Sequence, residues 1–200
     1  MTAETPPITI RPATKADAAE VALLVNIATH GGIRMGWEHD ERVTGTYDPL
    51  EVGRLDMLDE TSEMNWRNAT MAESDDEIVG MLLGYAEPDE MGPFPDGLPG
   101  FLVPIVELEW LSAGMWFVSM LGVHVPWRGH GVGGKLLALA EEQRAETGRR
   151  GLALIVEDKN AGARALYERM GFAVTASRPM RHYPDGTQPG KDWLLMVKEH

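Results

Sequence analysis

The chain has 200 residues, of which 44% are hydrophobic and 24% are charged, and these are ordinary values for a globular protein. Cysteine is absent, which excludes disulfides, thiolate catalysis and cysteine zinc sites. The formal net charge of −13 argues against nucleic acid as the main partner, because phosphate repels an acidic surface. We therefore expect one α/β domain over residues 1–200 that needs no metal.

The sequence carries no signal for a membrane or for secretion. Residues 1–7 lack the basic start and apolar core of a signal peptide. No apolar run approaches the length that spans a bilayer. We expect a cytoplasmic protein without a membrane partner, and the absence of cysteine fits that reducing compartment.

Acidic residues form three clusters in the first half of the chain. Their members are Glu38, Asp40 and Glu41, then Asp56, Asp59, Glu60 and Glu63, and then Glu73, Asp75, Asp76 and Glu77. Such clusters can attract a cationic amine substrate, but a solvated and solubilising surface is the commoner origin of this pattern. We interpret the three clusters as surface.

The first half of the chain predicts strands and helices in alternation. These elements are a strand at 8–11, a helix from 14 to 28, a polar and partly helical stretch, strands at 68–72 and 78–85, and a helix at 104–111. The first helix is predicted because Val21, Leu24 and Val25 fall on one helical face. Prolines and glycines at 87–100 predict an irregular loop between the hairpin and the next helix.

The second half begins with the most apolar segment. Its predicted elements are a strand at 115–125, a helix at 134–145, a strand at 152–156, a helix at 161–170, and strands at 173–177 and 193–197 around a turn at 184–186. The long apolar strand is typical of a sheet centre. Asn160 has a side chain that can cap the second of these helices, and Gly171 can end it.

A glycine-rich loop at 128–134 lies between a predicted strand and a predicted helix. Such a loop can direct backbone N–H groups and a positive helix end at a pyrophosphate. A P-loop would need Ser or Thr at Leu136 to hold magnesium, so that interpretation fails. A dinucleotide fingerprint fits the glycines, but residues 126–128 separate them from the strand, and too few residues follow for the complete fold.

The third pattern is Arg/Gln-x-x-Gly-x-Gly/Ala, which Arg128, Gly131 and Gly133 match. Here the sequence resembles the GNAT superfamily of N-acetyltransferases. A second motif, residues 160–172, agrees with the family's Asn…Ala-x-x-Leu-Tyr-x-x-x-Gly-Phe signature. The resemblance is sharpest over residues 115–172 and implies one α/β (α+β) domain with a mixed, mostly antiparallel sheet flanked by helices.

The resemblance implies that the chain binds acetyl-coenzyme A, without a metal. Val123 and Val125 on the predicted strand would pair with the pantetheine arm. The pyrophosphate would lie on the loop residues Arg128, Gly129, His130, Gly131, Val132, Gly133 and Gly134. A backbone N–H near Leu121 would polarise the thioester carbonyl. Asn160 would contact pantetheine, and Tyr167 would donate a proton to the departing thiolate.

Each implied role has a structural alternative. Asn160 can cap its helix with or without a cofactor, and Tyr167 lies on an apolar helix face where it can belong to the core. Arg128 can be a surface cation, although its place before the glycines favours a phosphate partner. His130 and Lys135 can simply be exposed.

The general base is not indicated by the sequence. Many family members carry a glutamate on the central strand at the position of Ser119, and a serine cannot deprotonate an ammonium unaided. The candidates that remain are Glu38, Glu107, Glu109 and His124.

The acceptor is also left open, as a small-molecule amine, a protein N-terminus or a lysine. In this family the acceptor usually lies against the regions that correspond to 26–37, 64–68 and 181–192, which include Trp37, Trp66, His182 and Tyr183. A non-catalytic coenzyme A-binding module and an NAD-dependent oxidoreductase remain as alternatives. The resemblance also implies a homodimer as a reasonable default for the oligomeric state.

Overall fold

A computed structural model describes residues 7–38, 40, 48–181 and 190–200 of the chain. Within those ranges it has the strands β1 (Thr9–Pro12), β2 (Ala69–Ser74), β3 (Glu77–Ala86), β4 (Trp116–Val123), β5 (Gly151–Glu157), β6 (Ala173–Pro179) and β7 (Asp192–Glu199). The α-helices are α1 (Ala18–Ala28), α2 (Gly32–Glu38), α3 (Pro49–Met57), α4 (Val103–Glu109), α5 (Val132–Glu146) and α6 (Ala161–Arg169). None of these helices is long and apolar enough to cross a membrane. The turn predicted at 184–186 lies outside the described residues.

The strands form one mixed sheet in the order β1-β2-β3-β4-β5-β7-β6. Antiparallel ladders join β1 to β2, β2 to β3, β5 to β7 and β7 to β6. The ladder between β4 and β5 is parallel and pairs Trp116 with Leu152 and Val118 with Leu154. The prediction of a mixed, mostly antiparallel sheet flanked by helices is confirmed.

The chain divides into two compact units. Unit 1 comprises residues 1–84 and 119–138, and unit 2 comprises residues 85–118 and 139–200. Strands β3 and β4 and helix α5 each contribute residues to both units. One domain over residues 1–200 remains a prediction.

In unit 1, helix α1 packs closely against the end of β4. Val21, Leu24 and Val25 are completely buried, as their shared helical face predicts. A Cβ atom at Gly122 would lie only 2.6 Å from the carbonyl oxygen of Leu24, so the helix backbone can approach this closely only because residue 122 is glycine.

The start of α1 is fixed by a carboxylate. Asp17 accepts hydrogen bonds from the backbone N–H of Thr14 at 2.7 Å and from both terminal nitrogens of the Arg11 guanidinium, at 2.8 and 2.9 Å. The Arg11 guanidinium holds the pKa of Asp17 well below its usual range. This bidentate pair joins β1 to the first turn of the helix.

In unit 2, strands β5 and β7 and helix α4 enclose the core. Strand β5 pairs with β7 along its whole length, from Gly151 opposite Glu199 to Glu157 opposite Trp193. The buried cluster consists of Leu108, Met115, Phe117, Ala153, Leu195 and Val197. The apolar run at 152–156, which has no alternation, is therefore a strand buried on both faces, as predicted.

The central strand is shorter than its apolar pattern predicts. It ends at Val123, and Val125–Trp127 form a 3-10 turn instead of continuing the predicted strand. Pro126 favours that turn because its ring fixes φ near the helical value and removes a backbone donor. The placement of Val125 on the strand was therefore wrong, and its side chain is two-thirds exposed.

Candidate functional site

The glycine-rich loop of unit 1 makes two left-handed bends before it enters α5. Gly129 and Gly131 have φ values of +82° and +84°, which disfavour any residue with a Cβ atom. Gly131 is followed at once by Val132, whose buried side chain anchors the first turn of the helix. The helix was predicted to begin at Gly134, so the structure moves its start two residues towards the N-terminus.

This shift changes the chemistry expected of the loop. Val132, Gly133 and Gly134 belong to the first turn of a 15-residue helix rather than to the preceding loop. The first N–H groups of a helix have no intrahelical acceptor and carry the positive end of its dipole. The first turn of α5 contains no acidic side chain that would repel an anion at the N-terminus of the helix. The geometry therefore supports an anion site made of backbone amides.

The backbone of this anion site is open to a ligand. Ideal Cβ atoms at Gly129, Gly131 and Gly134 would each have no heavy atom within 4 Å. A ligand can therefore approach the main chain closely at all three positions, and side chains there would obstruct it.

Each of the three basic side chains in and just after the loop makes a contact within the protein. The Nε atom of Arg128 donates to the Val123 carbonyl oxygen at 3.2 Å, so this exposed side chain folds back on the end of β4. His130 is exposed and packs edge-on against Trp127, with ring centroids 6.0 Å apart. Lys135 donates to the Ile8 carbonyl oxygen at 3.3 Å. Of the three, Arg128 retains terminal guanidinium nitrogens near the loop entrance that can donate to phosphate.

The predicted residues on β4 are half-buried. Leu121 and Val123 lie in the last part of the strand, together with Ser119, and all three are partly accessible. Their side chains are not those of an acid or a base, so any role they have belongs to their backbone groups.

Asn160 and Tyr167, the two predicted site residues of unit 2, both have structural roles that do not exclude a role in binding or catalysis. The Oδ1 atom of Asn160 accepts a hydrogen bond from the backbone N–H of Ala163 at 3.2 Å, so Asn160 caps α6. Tyr167 is 8% exposed, and its ring lies 6.0 Å from that of Phe172. Burial raises the pKa of the Tyr167 hydroxyl to about 12, so the phenol is neutral at physiological pH. It can therefore donate a proton but cannot serve as a base there.

Three of the four candidate bases contact an ionisable side chain. Glu38 pairs with Arg34 at 2.9 Å, Glu107 pairs with Arg178 at 2.6 Å, and His124 lies 2.7 Å from Glu20. Each of these three side chains therefore already has an ionisable partner.

The fourth candidate, Glu109, has a different environment. Its Oε1 atom accepts a hydrogen bond from the Tyr85 hydroxyl at 2.9 Å. Burial raises the pKa of the Glu109 carboxyl, against the opposite effect of its hydrogen bonds with Tyr85 and Glu87. Sequence reasoning named Glu109 but missed Tyr85 and Glu87. The available signal was Tyr85 itself, a polar aromatic at the end of an otherwise apolar strand.

The acidic clusters and the predicted acceptor region lie partly on a surface cleft of unit 1. The cleft has a volume of about 430 Å³, and its lining includes Trp37, Asp40, Asp56 and Asp59. Trp37 is buried and donates through Nε1 to Asp56 at 3.0 Å, so it has a packing role. Glu41, His182 and Tyr183 lie outside the described residues.

Two other sequence predictions concern this part of the molecule. Trp66 is half-buried, and the Arg67 guanidinium lies 5.5 Å from the centre of its ring. In the part of the chain that the structure describes, no group of three or more His, Asp or Glu side chains could hold a metal ion.

Comparison with known proteins adds one curated relative. The N-alpha-acetyltransferase MAK3 of Arabidopsis thaliana is 35% identical to this chain over 82 residues. That match covers 41% of this chain and 43% of the relative, so it spans less than half the length of the curated protein.

Known structures share the fold at low sequence identity. One crystal structure of an acetyltransferase has a TM-score of 0.64 and 22% identity, and the match covers 96% of this chain and 98% of that one. A crystal structure of the NatC complex bound to Gag peptide and CoA gives a TM-score of 0.57 and 17% identity, with 96% and 98% coverage. At these identities the likeness establishes the fold.

The match to a family model supports a family assignment more strongly than these relatives do. The model of the acetyltransferase (GNAT) family matches residues 27–172, which include both the glycine loop and the motif that begins at Asn160. This match confirms the resemblance that the two sequence motifs indicate. The chain belongs to the GNAT family of acetyltransferases, a family of acyl-transferring enzymes.

Proposed function

We propose that this protein transfers the acetyl group of acetyl-coenzyme A to the α-amino group of a peptide or protein N-terminus. The observation that carries the proposal is the open glycine backbone of unit 1, with Gly129 and Gly131 in left-handed conformations immediately before the N-terminus of α5. This arrangement suits a pyrophosphate, and it lies within the part of the chain that the family model matches.

Coenzyme A is the anion that fits these residues best. The amides of Val132, Gly133 and Gly134 and the guanidinium of Arg128 would hold its pyrophosphate, and Asn160 would contact its pantetheine arm. The CoA named in the NatC complex, a protein of the same fold, supports this choice. No acidic side chain lies in the first turn of α5 to oppose the phosphates.

The central strand offers backbone groups for the rest of the cofactor. Among the described residues, the ladder from β4 to β5 uses Trp116, Phe117 and Val118. The backbone of Leu121 and Val123 is therefore not committed to that ladder. We assign the N–H near Leu121 to the thioester carbonyl, as an oxyanion donor, and Val123 to the pantetheine amides.

Two considerations favour an N-terminal acceptor. The curated relative is an N-alpha-acetyltransferase, and the NatC complex contains a peptide. An α-amino group also has a pKa of ~7.7–8.0, against ~10.4 for lysine, so a much larger fraction of it is already nucleophilic at neutral pH. An α-amine therefore depends less than a lysine on deprotonation by a base in the protein.

The proposal is tested in two steps. Calorimetry should give micromolar binding of acetyl-coenzyme A and no binding of NAD. Acetyl transfer is then measured by mass spectrometry on peptides with a free N-terminus and on the same peptides with a blocked N-terminus and a free lysine. Transfer only to the free α-amine supports the proposal.

Other outcomes select the alternatives. Transfer mainly to the lysine peptide or to small amines would overturn the acceptor assignment. Binding without any transfer would favour a non-catalytic coenzyme A-binding module, which the presence of Ser119 in place of the family's glutamate would then explain. Binding of NAD instead would reopen the dinucleotide interpretation.

A further inference from the structure

We propose that Gly80 is a positioning residue of the cofactor site. The absence of a side chain at this position sets how closely the first turn of α5 lies to the end of β4. The inference rests on the coenzyme A part of the proposed function and is independent of the acceptor. It adds a residue of β3, a strand that lies outside both sequence motifs, to the elements that shape the anion site.

Gly80 lies inside β3 at a position where glycine is needed for space. Its neighbours along the strand, Val79 and Met81, are completely buried. Its φ lies outside the left-handed region, so the extended backbone does not itself call for glycine. Glycine inside a strand weakens the strand and is typical of a place where another backbone or side chain approaches closely. We therefore examine what a side chain at this position would meet.

Three groups surround the point where a Cβ atom of residue 80 would lie. An ideal Cβ atom there is 2.9 Å from the Gly122 carbonyl oxygen, 2.9 Å from Cγ1 of Val132 and 3.4 Å from Cγ2 of Val123. The first two distances are shorter than a side-chain carbon tolerates. The carbonyl oxygen belongs to the backbone, and the β-branched side chain of Val132 has little rotational freedom in a helix. A methyl group at residue 80 therefore requires β4 or α5 to move.

The end of β4 is held in place by its other neighbours in unit 1. Helix α1 packs on it so closely that a Cβ atom at Gly122 would lie 2.6 Å from the Leu24 carbonyl oxygen. The backbone N–H of His124 donates to the Val79 carbonyl oxygen at 3.0 Å, which joins β4 to β3. Because these contacts resist a movement of β4, the displacement falls mainly on Val132.

The displacement is also confined to the first turn of α5. Leu136 and Leu137, one turn further along the helix, are buried and hold that part of α5 in the core. A push on Val132 therefore tilts the first turn, which carries the amides that we assign to the pyrophosphate. An array of N–H donors loses hydrogen-bond energy when its distances and angles change. Gly80 thus controls the geometry of the anion site without contacting the ligand.

The first test is the affinity of Gly80→Ala for acetyl-coenzyme A, measured by calorimetry beside the wild type. We expect Kd to rise by on the order of 10-fold, which is the loss expected when one hydrogen bond to a charged group is misaligned. Unchanged affinity in folded Gly80→Ala would overturn the inference.

A matched control separates this effect from a general loss of stability. Gly151, on β5 in unit 2, is crowded in the same way, since an ideal Cβ atom there lies 2.5 Å from the Lys198 carbonyl oxygen. Gly151→Ala should lower the free energy of unfolding, measured with denaturant, and leave acetyl-coenzyme A affinity unchanged. Equal losses of affinity in Gly80→Ala and Gly151→Ala would overturn the inference, because general destabilisation would then explain both.

A double-mutant cycle tests whether the effect passes through Val132. Val132→Ala removes Cγ1 and gives a methyl group at residue 80 room to move away from the Gly122 carbonyl oxygen. Gly80→Ala should therefore cost much less affinity in the Val132→Ala background than in the wild type. Equal costs in the two backgrounds would contradict the proposal. If Gly80→Ala alone does not fold, the double variant should fold, and a double variant that is also unfolded would overturn the inference.

The inference and the proposed function fail differently. Amide NMR of the ligand-free protein should show shifted resonances for Gly133 and Gly134 in Gly80→Ala but not in Gly151→Ala, and unchanged resonances in both would overturn the inference. This measurement needs neither cofactor nor activity. If the wild type does not bind acetyl-coenzyme A, the cofactor part of the proposed function is wrong. If the wild type binds it and Gly80→Ala binds it equally well, only the role of Gly80 is wrongly assigned.

Discussion

The Nε2 atom of His124 lies 2.7 Å from the Oε1 atom of Glu20, which joins the end of β4 to helix α1 within unit 1. The backbone N–H of His124 also donates to the Val79 carbonyl oxygen at 3.0 Å. The residue that follows, Val125, begins the 3-10 turn that leads to Gly129. His124 is therefore fixed on two sides immediately before the glycine-rich loop starts.

We expect loss of the Glu20 carboxylate to weaken acetyl-coenzyme A binding without slowing the chemical step. In Glu20→Ala, His124 loses its hydrogen bond to a carboxylate just before the loop. For this partly exposed pair the loss is worth ~1 kcal/mol, which corresponds to an increase of about five-fold in Kd. Calorimetry measures the change in Kd, and saturating kinetics measure kcat. Glu77→Ala is the matched control because Glu77 lines the same surface cleft as Glu20 and His124. Equal effects of the two substitutions would show that only the charge of the cleft matters.

Gly131→Glu should abolish acetyl-coenzyme A binding. The residue has a φ of +84°, so any Cβ atom adds strain of ~1–2 kcal/mol, and a carboxylate there would also repel the pyrophosphate. Gly131→Ala has the same backbone strain without the charge and should lose far less affinity. Unchanged acetyl-coenzyme A affinity in a folded Gly131→Glu protein would refute the loop assignment.

Tyr167→Phe should retain acetyl-coenzyme A affinity and lower kcat by on the order of 10²-fold. The reason is that the phenol, with its pKa raised to about 12 by burial, stays protonated and available as a donor across the physiological range. Stopped-flow or coupled assays of thiol release measure the effect. Turnover at the wild-type rate would show that Tyr167 is a core residue and no more.

The same pKa shift predicts how stability depends on pH. The unfolded tyrosine deprotonates near pH 10, whereas folded Tyr167 keeps its proton to about pH 12, so the folded state binds more protons between these values. Stability from this group is therefore complete below pH 10 and is lost as the pH rises towards 12, by about 2–3 kcal/mol in total.

Denaturant unfolding at pH 9 and at pH 11.5 measures this loss. Tyr167→Phe has no phenol to titrate, so its free energy of unfolding should fall less than that of the wild type over the same interval. An identical decrease in the two proteins would mean that the hydroxyl of Tyr167 is not buried in solution.

Local patterns were sufficient to predict most of the secondary structure. The spacing of Val21, Leu24 and Val25 predicts α1 and its buried face, because helical periodicity is a property of neighbouring residues. Boundaries near the glycine loop were predicted less well. The helix begins at Val132 because its side chain is buried in the core, and that packing cannot be inferred from the glycine pattern.

The sequence by itself determined the family, since the glycine loop and the segment from Asn160 to Phe172 are contiguous motifs in which residue type and spacing carry the information. It also determined the general character of the sheet. The tertiary structure alone decided that β7 lies between β5 and β6, because pairing between distant strands depends on the packing of the whole sheet. It also distinguished two of the candidate bases that are close in sequence. Glu107 forms an ion pair with Arg178, whereas Glu109 accepts a hydrogen bond from Tyr85, which is 24 residues away in the chain. Basicity depends on the solvation and partners of a carboxyl group, and only the folded chain supplies these.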